Sequence, residues 1–234
     1  MSGPGTSFLL VLLVMTVSLP PRPSEQRRLK AKLAPPPEEL NTELVREAEQ
    51  RLSELGYWIG SVDGVVNRED QAALVAFQKV VALDKTGRLT LAVLEALRSA
   101  AAPKPVETGY SHLEVDLGKQ ILFFVDRTGL VSRILPVSTG SGKSFTSGGR
   151  TRRASTPPGK FTVYRKISGW RKSPLGVLYY PNYINQGIAI HGNPSVPVFP
   201  ASHGCIRIPM FAAKEFSELT PVGTPVIVHN GGRF

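Results

Sequence analysis

The period of the apolar residues changes once along this chain, across Ala100-Ala-Ala-Pro-Lys104, and that change governs what the chain can fold into. Before it, Leu40, Leu44, Ala48, Leu52 and Leu55 recur at three- and four-residue spacing, the stripe of an amphipathic helix. Gly56 stands where a helix C-terminus favours a left-handed residue. After a turn-rich link with Gly60 and Asp63-Gly64, Asn67 is placed to cap a second helix carrying Ala73, Ala76, Phe77 and Val80. Glu69 and Asp70 suit that helix's first turn. A third helix is predicted over Leu89 to Leu97, after the turn Asp84-Lys-Thr-Gly87. Three short helices in residues 38–100 make a small bundle with a marginal core of its own.

After the change, His112-Leu-Glu-Val-Asp-Leu117 alternates polar with apolar, as a half-buried strand does. Gln120 to Val125 and Leu130 to Val137 follow across the turns Gly118-Lys119 and Asp126-Arg-Thr-Gly129. Lys160 to Arg165, Gly187 to Ile190 and Thr224 to His229 add further strands. The one helix expected here runs from Pro209 to Leu219, with Pro209 at its first position. Many short strands with Gly and Pro turns predict a mainly β sandwich or barrel over 106–231. The whole chain therefore reads as α+β, a three-helix bundle followed by a β domain.

The N-terminal residues 1–19 hold the apolar run Phe8 to Leu19, whose 12 residues are too few for a helix spanning a roughly 30 Å hydrocarbon core. They suit a signal peptide or an N-terminal anchor, so export to the cell envelope is expected. Residues 20–37, ending in Pro35-Pro36-Pro37, read as an extended linker. A net charge of +10 favours polyanionic surroundings, but no zinc-finger, RNA-recognition or homeodomain signature accompanies it, and no nucleic-acid partner is expected.

The chain has one cysteine, Cys205, and two of its four histidines, His191 and His203, lie within 15 residues of it. Thiolate is the attacking form of cysteine, and a neighbouring base with nearby positive charge promotes it. His191, His203 and Arg207 supply those groups. A helix starting near Pro209 would add the partial positive charge of its N-terminus. Gly204 lets backbone N–H groups around Cys205 approach a substrate carbonyl, as an oxyanion hole requires. Spacing alone favours His203 as the base. No acidic residue lies between Gly187 and Met210, and the other histidines, His112 and His229, are far along the chain, so neither a metal nor another cofactor is expected. A redox role would call for a second cysteine.

His191-Gly192 followed by Ser202-His203-Gly204-Cys205-Ile206-Arg207 resembles the catalytic motif of the L,D-transpeptidases. Leu113-Glu-Val-Asp-Leu117, Leu135-Pro-Val-Ser-Thr-Gly140, Thr156-Pro-Pro-Gly159-Lys-Phe161 and Gly223-Thr-Pro-Val226 fall in that family's order. Leu52-x-x-Leu55-Gly56-Tyr57, Val62-Asp63-Gly64, Ala76-Phe77-Gln78 and Gly87-x-x-Thr90-x-x-x-Leu94 are similar to the peptidoglycan-binding type 1 domain. Two loops depart from that pattern, at Val66-Asn67 and at Leu83-Asp84-Lys85. The resemblance implies that Cys205 takes an acyl group from a donor tetrapeptide stem, releasing D-Ala. The diamino acid of an acceptor stem would then resolve the thioester into a 3→3 cross-link. It also implies His191 as base, oriented by the Gly192 carbonyl, with Ser202, His203, Gly204 and Arg207 around the substrate or its oxyanion. Resolution by water, giving a carboxypeptidase or endopeptidase, stays open, as does a protein that only binds the wall, with glycan contact through the helical domain. The basic, acid-free loop 141–155 is longer than the family's. It reaches either anionic wall material near the site or only solvent.

Overall fold

The computed structural model describes residues 40–231, so the expected signal or anchor segment and the Pro-rich linker lie outside the described residues. Among the described residues no helix is long and apolar enough to cross a membrane.

Three helices come first: α1 (Thr42–Glu54), α2 (Arg68–Val80) and α3 (Leu91–Ser99). Their ends are set by local chemistry. Asn41 accepts from the Leu44 amide to cap α1, and Asn67 with Asp70 forms a reciprocal capping box on α2. Gly56, at φ 86°, ends α1 with the paired bonds Tyr57 N–H to Leu52 O and Gly56 N–H to Ser53 O. A Cβ there would stand 2.7 Å from the Val131 carbonyl oxygen, so this turn also seats the helix on the β domain.

The β domain contains β1 (His112–Asp116), β2 (Ile121–Val125), β3 (Val131–Pro136), β4 (Ser144–Ser147), β5 (Arg150–Arg153), β6 (Gly159–Thr162), β7 (Arg165–Lys166) and β8 (Trp170–Ser173). It continues with β9 (Gly176–Asn185), β10 (Ile188–Asn193), β11 (Ile206–Pro209), a short helix α4 (Ala213–Leu219) and β12 (Pro225–His229). One five-stranded sheet has the order β3-β2-β1-β12-β6. The second runs β11-β10-β9-β7, with β8 also on β9, and β4-β5 form a separate hairpin. Leu113, Val115, Leu122, Val226 and Val228 of the first sheet pack with Ile190, Ile206 and Ile208 of the second and Phe216 of α4. This is a sandwich core, as the α+β reading expected.

Alternation in β2 sends side chains both ways. Leu122 enters the sandwich core, whereas Ile121, Phe123 and Val125 join Leu52, Leu74, Phe77 and Leu94 of the helices. A fully buried large apolar side chain contributes roughly 1.5–3 kcal/mol. The first sheet thus completes the core that three short helices lack.

Strands β8, β9 and β11 carry no strand expectation from the sequence, and the structure departs from the expectations at three further places. Strand β1 is buried on both faces rather than half-buried. Its Glu114 carboxylate accepts from the Val106 and Glu107 amides and from the His112 ring, so segment 106–110 roofs a polar layer that periodicity would assign to solvent. Loop 141–155 holds the β4–β5 hairpin, closed by Gly148-Gly149 at φ 57° and 71°. Finally, Pro209 ends strand β11 and α4 starts only at Ala213. The expected helix start beside the cysteine is absent, and with it the expected dipole.

Candidate active site

Strands β10 and β11 run parallel with His191 opposite Arg207. Side chains alternate along a strand, so Ile190, Ile206 and Ile208 enter the sandwich core while His191 and Arg207 take the opposite face. Cys205, two residues before Arg207, shares that face and packs with Leu178, Tyr183 and Ala189. Pairing in the second sheet, rather than nearness in sequence, brings these groups together.

His191 is 4% exposed, and its Nδ1 lies 2.9 Å from the Gly192 carbonyl oxygen. A carbonyl only accepts, so Nδ1 carries the proton and Nε2 is left with its lone pair. Gly192 is needed for packing: a Cβ would lie 2.6 Å from Ala213 Cβ on α4 and 3.1 Å from the Tyr179 ring. Burial, with a smaller contribution from the Arg207 charge, pushes the His191 pKa down to about 4, against the Gly192 bond. Burial also raises the Cys205 thiol, although the Ala189 backbone and Arg207 pull it down. Both shifts favour neutral forms. The sequence suggested a thiolate favoured by surrounding cations; in the fold, burial opposes the Arg207 charge at the thiol and shifts both groups towards their neutral forms.

Ser202 turns inward. Its hydroxyl donates to the Cys205 carbonyl at 2.6 Å and accepts from the Gly204 amide at 3.0 Å, so it shapes the loop. Gly204 has φ 136°, and a Cβ on it would sit 2.9 Å from the Ser155 carbonyl oxygen. With its amide committed to Ser202, Gly204 offers its flexibility here rather than a free donor. His203, the base that spacing favoured, is exposed and packs at a tilt against Phe145 of the β4–β5 hairpin at a centroid distance of 4.8 Å. Phe145 pairs with Arg152 and Ser147 with Arg150, so both arginines share the hairpin face that carries Phe145.

Sequence reasoning passed over Thr156 as a site residue. Its hydroxyl accepts from the Gly140 amide at 2.9 Å and donates to the Gly204 carbonyl at 2.7 Å, tying two motif segments to the cysteine loop. Its place in the Thr-Pro-Pro-Gly element was the available signal. Gly148-Gly149 was likewise a hairpin signal within the basic loop.

Among the described residues, no cluster of three or more His, Cys, Asp or Glu side chains could hold a metal ion. What the second sheet presents is a buried imidazole of defined tautomer and a thiol on one face, with a guanidinium beside them.

The family model of the L,D-transpeptidase catalytic domain matches residues 110–228, and that of a peptidoglycan-binding domain matches residues 41–97. The crystal structure of the L,D-transpeptidase from Xylanimonas cellulosilytica is similar at 38% identity, covering 79% of this chain and 92% of that one, with a TM-score of 0.75. An L,D-transpeptidase structure from Stackebrandtia nassauensis aligns at 24% identity over 82% of this chain and 92% of that one, with a TM-score of 0.47. A search among curated proteins gave no match. The chain belongs to the L,D-transpeptidase catalytic-domain family and carries a peptidoglycan-binding domain ahead of the catalytic one.

Proposed function

We propose that this protein is an exported peptidoglycan L,D-transpeptidase that works through a thioester on Cys205. The carrying observation is the His191 Nδ1 bond to the Gly192 oxygen, which leaves Nε2 as a base on the face that bears the thiol. Cys205 Sγ attacks the carbonyl joining the third residue to the terminal D-Ala of a donor tetrapeptide, and its proton passes to His191 Nε2. Because both groups rest neutral, this transfer accompanies attack rather than preceding it. The Cys205 N–H stabilises the oxyanion, since the Gly204 N–H is occupied by Ser202.

Collapse of the tetrahedral species breaks the C–N bond, His191 returns the proton to the departing D-Ala amine, and the thioester remains. The side-chain amine of a diamino acid on a neighbouring stem then attacks the thioester and loses a proton through His191. Cleavage of the C–S bond restores the thiol and leaves a 3→3 cross-link. Arg207 and His203 position the donor, and Arg150 and Arg152 face its carboxylates from the hairpin.

Incubation with a soluble tetrapeptide, followed by intact-protein mass measurement, should show an adduct of the tripeptide acyl group on Cys205. Muropeptide analysis with an acceptor present should show dimers. No adduct would overturn the nucleophile assignment, and tripeptide products without dimers would make the enzyme a hydrolase.

A further inference from the structure

Where the helices meet the first sheet, one buried cation is left without an ionic partner. Lys79, in the last turn of α2, is 3% exposed, and its Nζ donates to the carbonyl oxygens of Gln120 and Val137 at 3.0 Å each. An ammonium has three N–H donors, so one is left over. Among the described residues no carboxylate pairs with it. Burial, with Lys85 nearby, holds this amine down to about 7, so its third N–H is present only in the protonated form, which an anion placed beside it would favour.

Lys79 lines a cleft of about 500 Å³ between the loop after α2 and the Gly118-Lys119 turn of the first sheet. Lys85 and Lys119 stand on its walls against a single acid, Asp84, and Val80 and Leu83 supply an apolar side. The loop departs here from the usual peptidoglycan-binding sequence. It leaves α2 through Ala82 at φ 58°, a left-handed conformation that a side chain disfavours, and this turn carries Leu83-Asp84-Lys85 to the cleft. Three cations with one acid suit a small anion, and the apolar side suits a methyl group beside it.

Resting on the reading that the chain acts on peptidoglycan, we propose that this cleft is a second binding site, distinct from the Cys205 centre, for a methyl-bearing carboxylate of that polymer such as a lactyl or alanyl group. The anion would take the spare Lys79 donor, with Lys85 and Lys119 closing on it. The site joins the helical domain to the catalytic sheet: Gln120, which receives Lys79, also bonds through its side chain to Thr139, and the Thr139 carbonyl accepts from the Ser202 amide.

Because Lys79 is buried, its own replacement tests folding as much as binding, so the exposed pair is reversed instead. Full-length wild type, Lys85→Glu/Lys119→Glu and Lys85→Arg/Lys119→Arg are co-sedimented with purified sacculi, before and after acid removal of phosphate-bearing polymers. The Glu pair should bind roughly tenfold more weakly to both preparations, and the Arg pair should bind like wild type. Equal binding by the Glu pair and wild type overturns the site. A loss seen only while phosphate polymers are present overturns the carboxylate assignment. Adduct formation by the wild type with a soluble tetrapeptide, measured separately, reports on Cys205, so failure of the cleft and failure of the catalytic reading are told apart.

Discussion

Replacing Thr156 by valine keeps the side-chain shape and removes one hydroxyl that serves two partners. The Gly140 amide and the Gly204 carbonyl both lose their bonds to Oγ1, in a place where Thr156 itself is 6% exposed. A buried polar group left unsatisfied costs about 1–3 kcal/mol. Gly204 is buried and Gly140 half-buried, so the two together amount to roughly 2–4 kcal/mol. For a domain of this size that lowers the melting temperature by roughly 5–12 °C. The loss is also local. The Gly204 carbonyl belongs to the peptide bond that carries the Cys205 N–H, so releasing it turns that donor away from the oxyanion. A misplacement of about 1 Å can cost about a hundredfold, and acylation should slow by roughly 10- to 100-fold. The assays are calorimetry and the rate of adduct formation with a tetrapeptide, measured well below the melting transition. Thr156→Ser should stay near wild type in both. A valine variant that melts within about 2 °C of wild type and acylates normally would refute the role given to this hydroxyl. A serine variant as damaged as valine would trace the effect to the methyl group instead.

Cys205→Ser should give no detectable adduct, because a hydroxyl beside so weak a base is a far poorer nucleophile, while its melting temperature stays close to that of the wild type. His191, neutral in the fold down to about pH 4, makes stability depend on acid. The unfolded chain takes up this proton first, near 6.5, so the contribution is complete above that value, declines as pH falls towards 4 and then levels off. Its size is roughly 3 kcal/mol, and the urea midpoint of wild type minus that of His191→Asn across this window measures it. Gly192→Ala drives a methyl group against Ala213 and should cost about 1–3 kcal/mol by calorimetry, with slower acylation as the Gly192 carbonyl moves from His191.

Local chemistry explains most of what could be read without coordinates. The caps at Asn67 and Gly56 work through atoms within a few residues, so their sequence signals suffice. The Gly148-Gly149 turn is equally local, and it was hidden only because the exposed, arginine-rich strands beside it lack an apolar pattern. Pro209 misled for a similar reason: its fixed φ suits a helix start and a strand end alike, and only pairing with Asn193 selects the strand.

By itself, the sequence determined the three leading helices, the strands of the first sheet, the lone cysteine and its motif, and the chemistry a thiol beside histidines can perform. Tertiary structure decided where the two histidines lie, since the register between β10 and β11 sets His191 beside Arg207 while the loop carries His203 out to Phe145. It also decided the burial that shifts both groups towards neutrality and the fusion of the helices with the first sheet. Burial and strand register are sums over residues distant in the chain, and periodicity records only neighbours.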